Sequence, residues 1–431
     1  MKKIYLGLLG FGNVGSGVVK ILKTRQSLLK KKLGCNLVFK KVCDKDLRSK
    51  RGVSLPKGVL TSNAAEIIDD PGIDVVIELI GGIHPAKEYI MQALAKGKYV
   101  ITANKALLAE CGREIFKLAN EHGKTVYYEA SVGAGIPIIK SLREGLAADR
   151  FKRIFGILNG TSNFILSAML ERRISFAQAL IQAQKSGFAE RNANLDIQGI
   201  DSLHKLIVLV YLCFGKLVNL DDVFVSGIEH ISLFDVVYAK ELGYQIKLLA
   251  IAQKEGYELE LRVHPTLISQ DHLLAKVSGI NNAIYVSGDL AGDLLFFGPG
   301  AGKTAAASAV VSDLQDAVAD LQAGLFRRKF FAVEDTTIRK LRRIDQSQSR
   351  YYIRFMAVDR PGVLAVIAGI LAKFDISVAS VTQKERKRTK VVPIVMIVHE
   401  AKEKNLLLAL KKIAGLDVVK ESPVAIRIEQ I

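Results

Sequence analysis

From residue 1 to about 130, short apolar runs alternate with stretches whose apolar positions recur every three or four residues. Residues 4–9, 37–43, 74–80, 99–102 and 125–129 read as strands, and 14–26 and 85–96 read as helices between them. Apolar strands alternating with helices predict a parallel sheet covered on both faces, a Rossmann-like doubly wound α/β domain over residues 1–130. From 131 to 325 the texture changes to longer helices, at 175–186, 202–214 and 301–323, with a few strands. A central α+β domain is expected there.

The stretch TTIRKLRRIDQSQSR at 336–350 is basic, polar and short of apolar periodicity, which makes 326–350 the expected linker. After it, YYIRFMAV, GVLAVIAGILAKF, SVASVTQ, VVPIVMIV, LLLALKKIAG and VAIRIEQ resume a strand–helix–strand texture. Their order over 351–431, βαββαβ, is the ferredoxin-like arrangement.

The first chemical signal is Gly10-Phe11-Gly12-Asn13-Val14-Gly15, a G-x-G-x-x-G between the opening strand and the first helix. Gly10 permits the tight turn, Gly12 lets backbone approach a pyrophosphate, and Gly15 permits close helix–strand packing. The helix N-terminus then offers N–H groups and partial positive charge to phosphates, so a dinucleotide is expected. Strand 37–43 runs into Asp44-Lys45-Asp46-Leu47-Arg48-Ser49-Lys50-Arg51. Asp44 favours a ribose 2′-hydroxyl and hence NAD, whereas Lys45, Arg48, Lys50 and Arg51 favour the 2′-phosphate of NADP. Both readings, and dual use, stand.

Asp201 and Lys205 lie four apart, so they share a face of the helix at 202–214, which beyond Lys205 is apolar nearly all round. A buried ionised group costs several kcal/mol unless paired. The two residues therefore form either a salt bridge at a surface helix start or a lysine oriented by an acid for proton transfer at a carbonyl. Glu190 and Asp196 precede them in a loop and are available to an ammonium group. Thr102-Ala103-Asn104-Lys105 ends a strand and begins a helix, which places Lys105 outside the carboxyl end of the sheet, where ligands of such folds bind. The small-residue exit Glu129-Ala130-Ser131-Val132-Gly133-Ala134-Gly135-Ile136-Pro137 is either a plain crossover or a set of carbonyls that holds a monovalent cation with Glu129.

Composition sets outer limits. At 431 residues and 47.2 kDa, with 49% hydrophobic and 24% charged residues, the chain fits about three globular domains and excludes disordered, collagen-like or heptad-built classes. Its 61 Lys+Arg against 43 Asp+Glu give +18, a balance that suits nucleic acid, an anionic membrane or an anionic ligand. The basic residues cluster at 20–32, 40–51, 327–350 and 384–390, and of these clusters only 40–51 adjoins a predicted anionic ligand. The excess is therefore read mainly as solvation, with neither nucleic acid nor membrane expected as a partner. Cys35, Cys43, Cys111 and Cys213 show no C-x-x-C spacing, which argues against a disulfide framework or zinc site. Gly7, Gly10, Gly12 and Gly15 interrupt the apolar start, and no run of 18 apolar residues follows, so a cytoplasmic protein is expected.

Taken together, GFGNVG, ELIGG, TANK, EASVGAGIP, NGTSN, the run GFAE to GID and Lys205, and GPGAG resemble the homoserine dehydrogenases over almost the whole chain. The resemblance implies NAD(P)-dependent interconversion of L-homoserine and L-aspartate 4-semialdehyde, in threonine and methionine biosynthesis. It implies that Lys205 transfers the proton, that Lys105 lies near nicotinamide and substrate, and that Glu190 and Asp201, helped by Asp196, bind substrate. Gly10, Phe11, Gly12, Asn13, Val14, Gly15, Lys45, Lys105, Gly187 and Gly302 are the implied cofactor contacts, and NADP or NAD the implied cofactor. Glu129 with the carbonyls of Val132, Ala134 and Ile136 resembles the family's sodium site. Residues 131–325 become a catalytic and dimerisation domain, in a homodimer or homotetramer. Asn192-Ala193 and Ala305-Ala306 depart from the family pattern in two loops near these sites. Asp359-Arg360-Pro361-Gly362-Val363-Leu364 and Ile376–Val381 resemble an ACT domain, which implies threonine as effector. The competing readings are another NAD(P)-dependent amino-acid dehydrogenase with an ACT sensor, and a non-catalytic basic regulatory protein.

Overall fold

Strands β1 (Lys3–Leu9), β2 (Asn36–Cys43), β3 (Leu60–Thr61), β4 (Val75–Glu78), β5 (Tyr99–Thr102) and β6 (Val126–Tyr127) form a six-stranded sheet. The structure is a computed structural model and describes residues 2–324, 334–383 and 391–431. The sheet is parallel throughout, in the order β3-β2-β1-β4-β5-β6, so the winding reverses between β1 and β4. Helices α1 (Asn13–Thr24), α2 (Gln26–Leu33), α3 (Ala65–Ile68), α4 (Ala86–Ala95) and α5 (Lys105–Glu121) connect its strands. Leu6, Leu8, Val75, Val76, Ile77 and Ile101 are all buried, which is why these strands read as continuous apolar runs without alternation. The run at 125–129 stops being a strand after Tyr127, and Glu129 enters a 3-10 turn, Glu129–Ser131.

Onward, the chain forms α6 (Ile138–Lys140), β7 (Phe151–Ile157), α7 (Gly160–Arg172), α8 (Phe176–Lys185), α9 (Asn194–Ile197) and α10 (Ile200–Phe214). Next come β8 (Phe224–Val225), α11 (Leu233–Glu241), β9 (Tyr244–Glu255), β10 (Glu258–Ser269), β11 (Asn281–Gly288), β12 (Asp293–Pro299) and α12 (Lys303–Ala323). The last segment holds β13 (Lys340–Arg342), β14 (Gln348–Val358), α13 (Val363–Lys373), β15 (Val378–Thr382), β16 (Val391–Lys402), α14 (Glu403–Ala414) and β17 (Val424–Glu429).

The described chain falls into two units, each discontinuous in sequence. The first is Met1–Ile154, Leu203–Asp221 and Asn281–Thr336; the second is Phe155–Ser202, Asp222–Ile280 and Thr337–Ile431. In the first, α12 belongs to the core of the parallel sheet: Ala307, Val310, Leu314, Ala317 and Val318 share one cluster with Val18, Val19 and Leu8. Gly17 allows this approach, since a Cβ there would lie 3.0 Å from the Ala307 Cβ. Strands β11 and β12 of the same unit form an antiparallel hairpin.

In the second unit β9 and β10 form a long antiparallel hairpin, and the other edge of β10 takes three parallel partners in turn, β13, β8 and β17. Strand β17 opens the sheet β17-β14-β16-β15, antiparallel throughout, the strand order of a ferredoxin-like βαββαβ unit. Ile353, Phe355, Ile367, Leu371, Met396, Leu406 and Ile413 build its core with α13 and α14. The part of the expected linker that the structure describes, 334–350, carries structure of its own, whereas 325–333 and the basic cluster 384–390 lie outside the described residues. Lys340 and Arg342 of β13 pair with Glu258, and Arg342 also with Glu255 at 2.7 Å, so a polar, basic stretch is here a laddered strand. Among the described residues, no helix is long and apolar enough to cross a membrane.

Candidate active site

The turn after β1 is shaped by three glycines with different jobs. Gly10 sits at φ +96, and a Cβ there would lie 2.5 Å from the Leu79 carbonyl oxygen. A Cβ on Gly15 would lie 2.2 Å from the Gly10 carbonyl oxygen, so strand and helix close only over glycine. Gly12, the N-cap of α1, offers no side-chain capping bond, and a Cβ there would meet nothing within 4 Å. Exposed N–H groups at a helix start, beside open space at the point where the winding reverses, fit a pyrophosphate. Gly302 likewise opens α12, at φ +125 with no atom near its Cβ direction.

At the end of β2, Asp44 accepts from the Phe11 N–H (2.6 Å) and the Asp46 N–H (2.9 Å), and pairs with Arg51 at 3.2 Å. The Arg51 guanidinium also lies over the Phe11 ring, 5.1 Å from its centroid, and donates to the Ser49 and Asp46 carbonyls. Phe11, Arg51, Leu55, Pro56 and Leu60 help line a groove of ≈ 480 Å³. Lys45, the basic residue singled out from the sequence, is exposed, whereas Arg51, held by Asp44, lines the groove together with Lys50 and Lys57.

Lys105 begins α5 just beyond the carboxyl end of β5 and is half-buried. Its turn is held by a buried network. Glu78, at the end of β4, accepts from Thr102 Oγ1 (2.7 Å) and the Ile80 N–H (2.7 Å), and Thr102 Oγ1 accepts from the Asn104 N–H (3.0 Å). Asn104 caps α5 by accepting from the Leu107 N–H and donates to the Gly82 carbonyl at 2.6 Å. Burial pushes the Glu78 carboxyl up, against the pull of the Thr102 and Ile80 bonds.

Glu129 is buried; its carboxylate accepts from the Ile139 (2.9 Å) and Lys140 (2.8 Å) N–H groups, and its own N–H donates to Asp313 (2.8 Å). Burial raises the pKa of both carboxyls, that of Asp313 well above the usual range. Gly133 (φ +70) and Ala134 (φ +39) turn the following loop through left-handed backbone, a conformation a residue with a Cβ seldom adopts.

In the second unit, Asp196 of α9 and Asp201 of α10 meet on one side chain. Asn159 Nδ2 donates to Asp196 Oδ1 at 2.6 Å and to Asp201 Oδ2 at 2.9 Å. Asp201 is 9% exposed, and Lys205, one turn further along α10 in the first unit, is 8% exposed, so both are buried. Gly187 is at φ +73 in the loop after α8. Glu190 is exposed in that loop, and the structure does not bond its side chain to the Asn159 amide.

Residues 137–315 match the family described as homoserine dehydrogenase, and residues 10–129 match the homoserine dehydrogenase NAD binding domain. A homoserine dehydrogenase of Neisseria gonorrhoeae is 40% identical over 434 residues, covering 100% of each chain. The chain belongs to the homoserine dehydrogenase family. The crystal structure of a homoserine dehydrogenase from Thiobacillus denitrificans superposes with a TM-score of 0.93 at 42% identity, over 100% of this chain and 99% of that one. A hyperthermophilic archaeal homoserine dehydrogenase solved in complex with NADPH is 25% identical, with a TM-score of 0.64 over 74% of this chain and 98% of that one. Residues 351–417 match the ACT domain. As homoserine dehydrogenases are NAD(P)-dependent oxidoreductases, residues 10–129, which match the NAD binding domain and include the Gly10–Gly15 turn, form the NAD-binding domain of the chain. Sequence reasoning passed over Asn159, Glu78 and Asp313, and named Arg51 only as one of four basic residues after β2. The Asn-x-x-Ser spacing of residues 159–162, a helix-cap pattern after a strand, was the signal available for the first.

Proposed function

We propose that the chain interconverts L-homoserine and L-aspartate 4-semialdehyde, with the substrate's ammonium held by Asp196 and Asp201 and the reacting oxygen met by Lys205. The observation that carries this reading is the convergence of two carboxylates on the Asn159 amide, one helical turn before a buried lysine on an apolar helix. The dinucleotide, seated on the Gly10–Gly15 turn, supplies the hydride acceptor for the alcohol or the hydride donor for the aldehyde. In oxidation the neutral Lys205 amine takes the hydroxyl proton as the C–H bond is lost; in reduction its ammonium returns that proton to the carbonyl oxygen. Lys105, at the carboxyl end of the sheet, adds positive charge beside the same oxygen, and Glu190 approaches the substrate from the loop after α8.

NADP is the favoured cofactor in this reading, because Asp44 is already engaged by the Phe11 N–H and Arg51 and so offers little to a ribose 2′-hydroxyl. Glu129 and the carbonyls of Val132, Ala134 and Ile136 hold a monovalent cation such as sodium. The ACT-type unit binds threonine as an effector, in keeping with the family match at 351–417.

Steady-state kinetics with homoserine and each cofactor test the reading. Homoserine is oxidised, and Lys205→Ala lowers kcat by roughly 10²-fold or more while NADPH binding, followed by fluorescence titration, is unchanged. A wild-type protein inert towards homoserine, or a Lys205→Ala variant with full turnover, overturns it.

A further inference from the structure

The NGTSN segment at 159–163 joins β7 to α7 and takes no direct part in the chemistry proposed above. Its first residue is nevertheless among the most committed polar side chains of the second unit. Asn159 is 5% exposed. Its Oδ1 accepts from the Ser162 N–H at 2.8 Å and caps α7, and its Nδ2 serves Asp196 and Asp201. A primary amide has two N–H donors, so both are spent on carboxylates from two different helices. The flanking backbone is seated just as firmly. A Cβ on Gly160 would lie 2.7 Å from the Ile280 carbonyl oxygen, and Thr161 Oγ1 donates to the Phe188 carbonyl at 2.8 Å. Phe188 stands two residues before Glu190, so the same short turn touches the anchorage of all three acids read as substrate-binding.

Capping α7 needs only the amide oxygen; the doubled donation has a different consequence. Two carboxylates drawn to one point repel each other, and a neutral amide holds them at a set spacing without cancelling their charge. A primary ammonium presents several donors to such a pair of carboxyl groups. We infer that Asn159 is the positioning residue of the ammonium subsite: its two amide hydrogens set the separation and direction of Asp196 and Asp201, and thereby the affinity for an amino-acid alcohol. The inference rests on the proposed role of those two acids in binding substrate.

Asn159→Ser and Asn159→Asp, made in the full chain, keep a side-chain oxygen that caps α7 and remove the paired donors; Asn159→Ala removes both functions. The KM for homoserine rises roughly tenfold or more in the Ser and Asp variants, the scale of a lost hydrogen bond to a charged group. Meanwhile kcat falls less than that, the KM for NADP⁺ stays at its wild-type value, and the melting temperature of the Ser variant stays above that of the Ala variant. A Ser variant that folds and keeps the wild-type homoserine KM overturns the inference. So does a loss that falls equally on homoserine and NADP⁺ in step with the melting temperature, because that marks a purely structural cap. The wild-type control separates this failure from failure of the proposed function, since a wild type inert towards homoserine overturns both.

Discussion

Arg51→Leu tests the proposal that the groove beside Phe11 receives the adenosine end of the cofactor. The side chain is 11% exposed, pairs with Asp44 at 3.2 Å and lies 5.1 Å from the centre of the Phe11 ring, a contact that leucine retains in its apolar part. With arginine present the Asp44 charge is matched; without it, the carboxylate faces any 2′-phosphate alone. A unit charge at about 5 Å in a medium of effective permittivity about 20 is worth ~3 kcal/mol. Counter-ions at the rim of an open groove remove roughly half of that at physiological salt. The remainder, about 1.4 kcal/mol, is a tenfold effect. The KM for NADP⁺ therefore rises about tenfold, the KM for NAD⁺ stays or falls, and kcat with saturating homoserine is unchanged. Initial rates of reduced-nicotinamide formation with each cofactor, at low and high ionic strength, measure this directly, and added salt narrows the difference between wild type and variant. Equal losses with both cofactors, or an unchanged KM for NADP⁺, refute the assignment of Arg51.

Two further outcomes concern stability. Lys247 is buried with its Nζ on the Val277 carbonyl and, at 3.3 Å, on Asn163 Oδ1, and burial pulls its pKa from 10.5 down to about 8. Because the folded value is the lower one, the unfolded chain carries the extra proton between pH 8 and 10.5, and stability rises with pH across that window by about 3 kcal/mol. In denaturant melts the wild type gains that much relative to Lys247→Met over the same range, and a difference that does not move with pH refutes it. Arg354→Met strands Asp235, which is fully buried and bonded to Arg354 at 2.7 Å and to the Tyr352 hydroxyl at 3.1 Å. A loss of roughly 3–5 kcal/mol follows, partly recovered by adding Asp235→Asn. Urea melts that show no loss, or a double variant worse than the single one, contradict it.

The parallel sheet, the glycine turn and the βαββαβ tail were legible because each depends on local pattern: unbroken apolar runs, a fixed glycine spacing, a strand–helix order. What escaped depends on distance along the chain. Helix α12 shows a core-facing stripe, Val310, Leu314 and Ala317, but nothing local says that its partners are Val18 and Val19, almost three hundred residues earlier. The site divides in the same way. Asp201 and Lys205 were found because helical spacing ties them, and both are buried. Lys45, Arg48, Lys50 and Arg51 stood together in the sequence as basic residues after β2, whereas the position of Arg51 against Asp44 and Phe11 comes from a loop that returns to the glycine turn. Asn159 went unread as a site residue because its two acceptors come from helices 37 and 42 residues away.

The reading of 326–350 as a linker shows how charge misleads when its partner strand is not yet known. Lys340 and Arg342 are basic and polar, yet they run in parallel register beside Glu258 and Glu260, so each cation meets an acid across the ladder. The same exchange continues along β10. Arg262, buried to 4% exposure, pairs with Glu260 at 3.0 Å and with Glu429 of β17, and Arg427 of β17 pairs with Glu403 at 2.6 Å. A strand that carries Glu258, Glu260 and Arg262 on alternate positions looks like one with a solvated face. Buried ions of that kind cost several kcal/mol each when unmatched, so their presence on β10 is intelligible only if the ferredoxin-like sheet adds to that edge and matches them. The tail is thus joined to β10 by backbone register and by charge together, and its boundary cannot be drawn at the basic stretch that composition marks out.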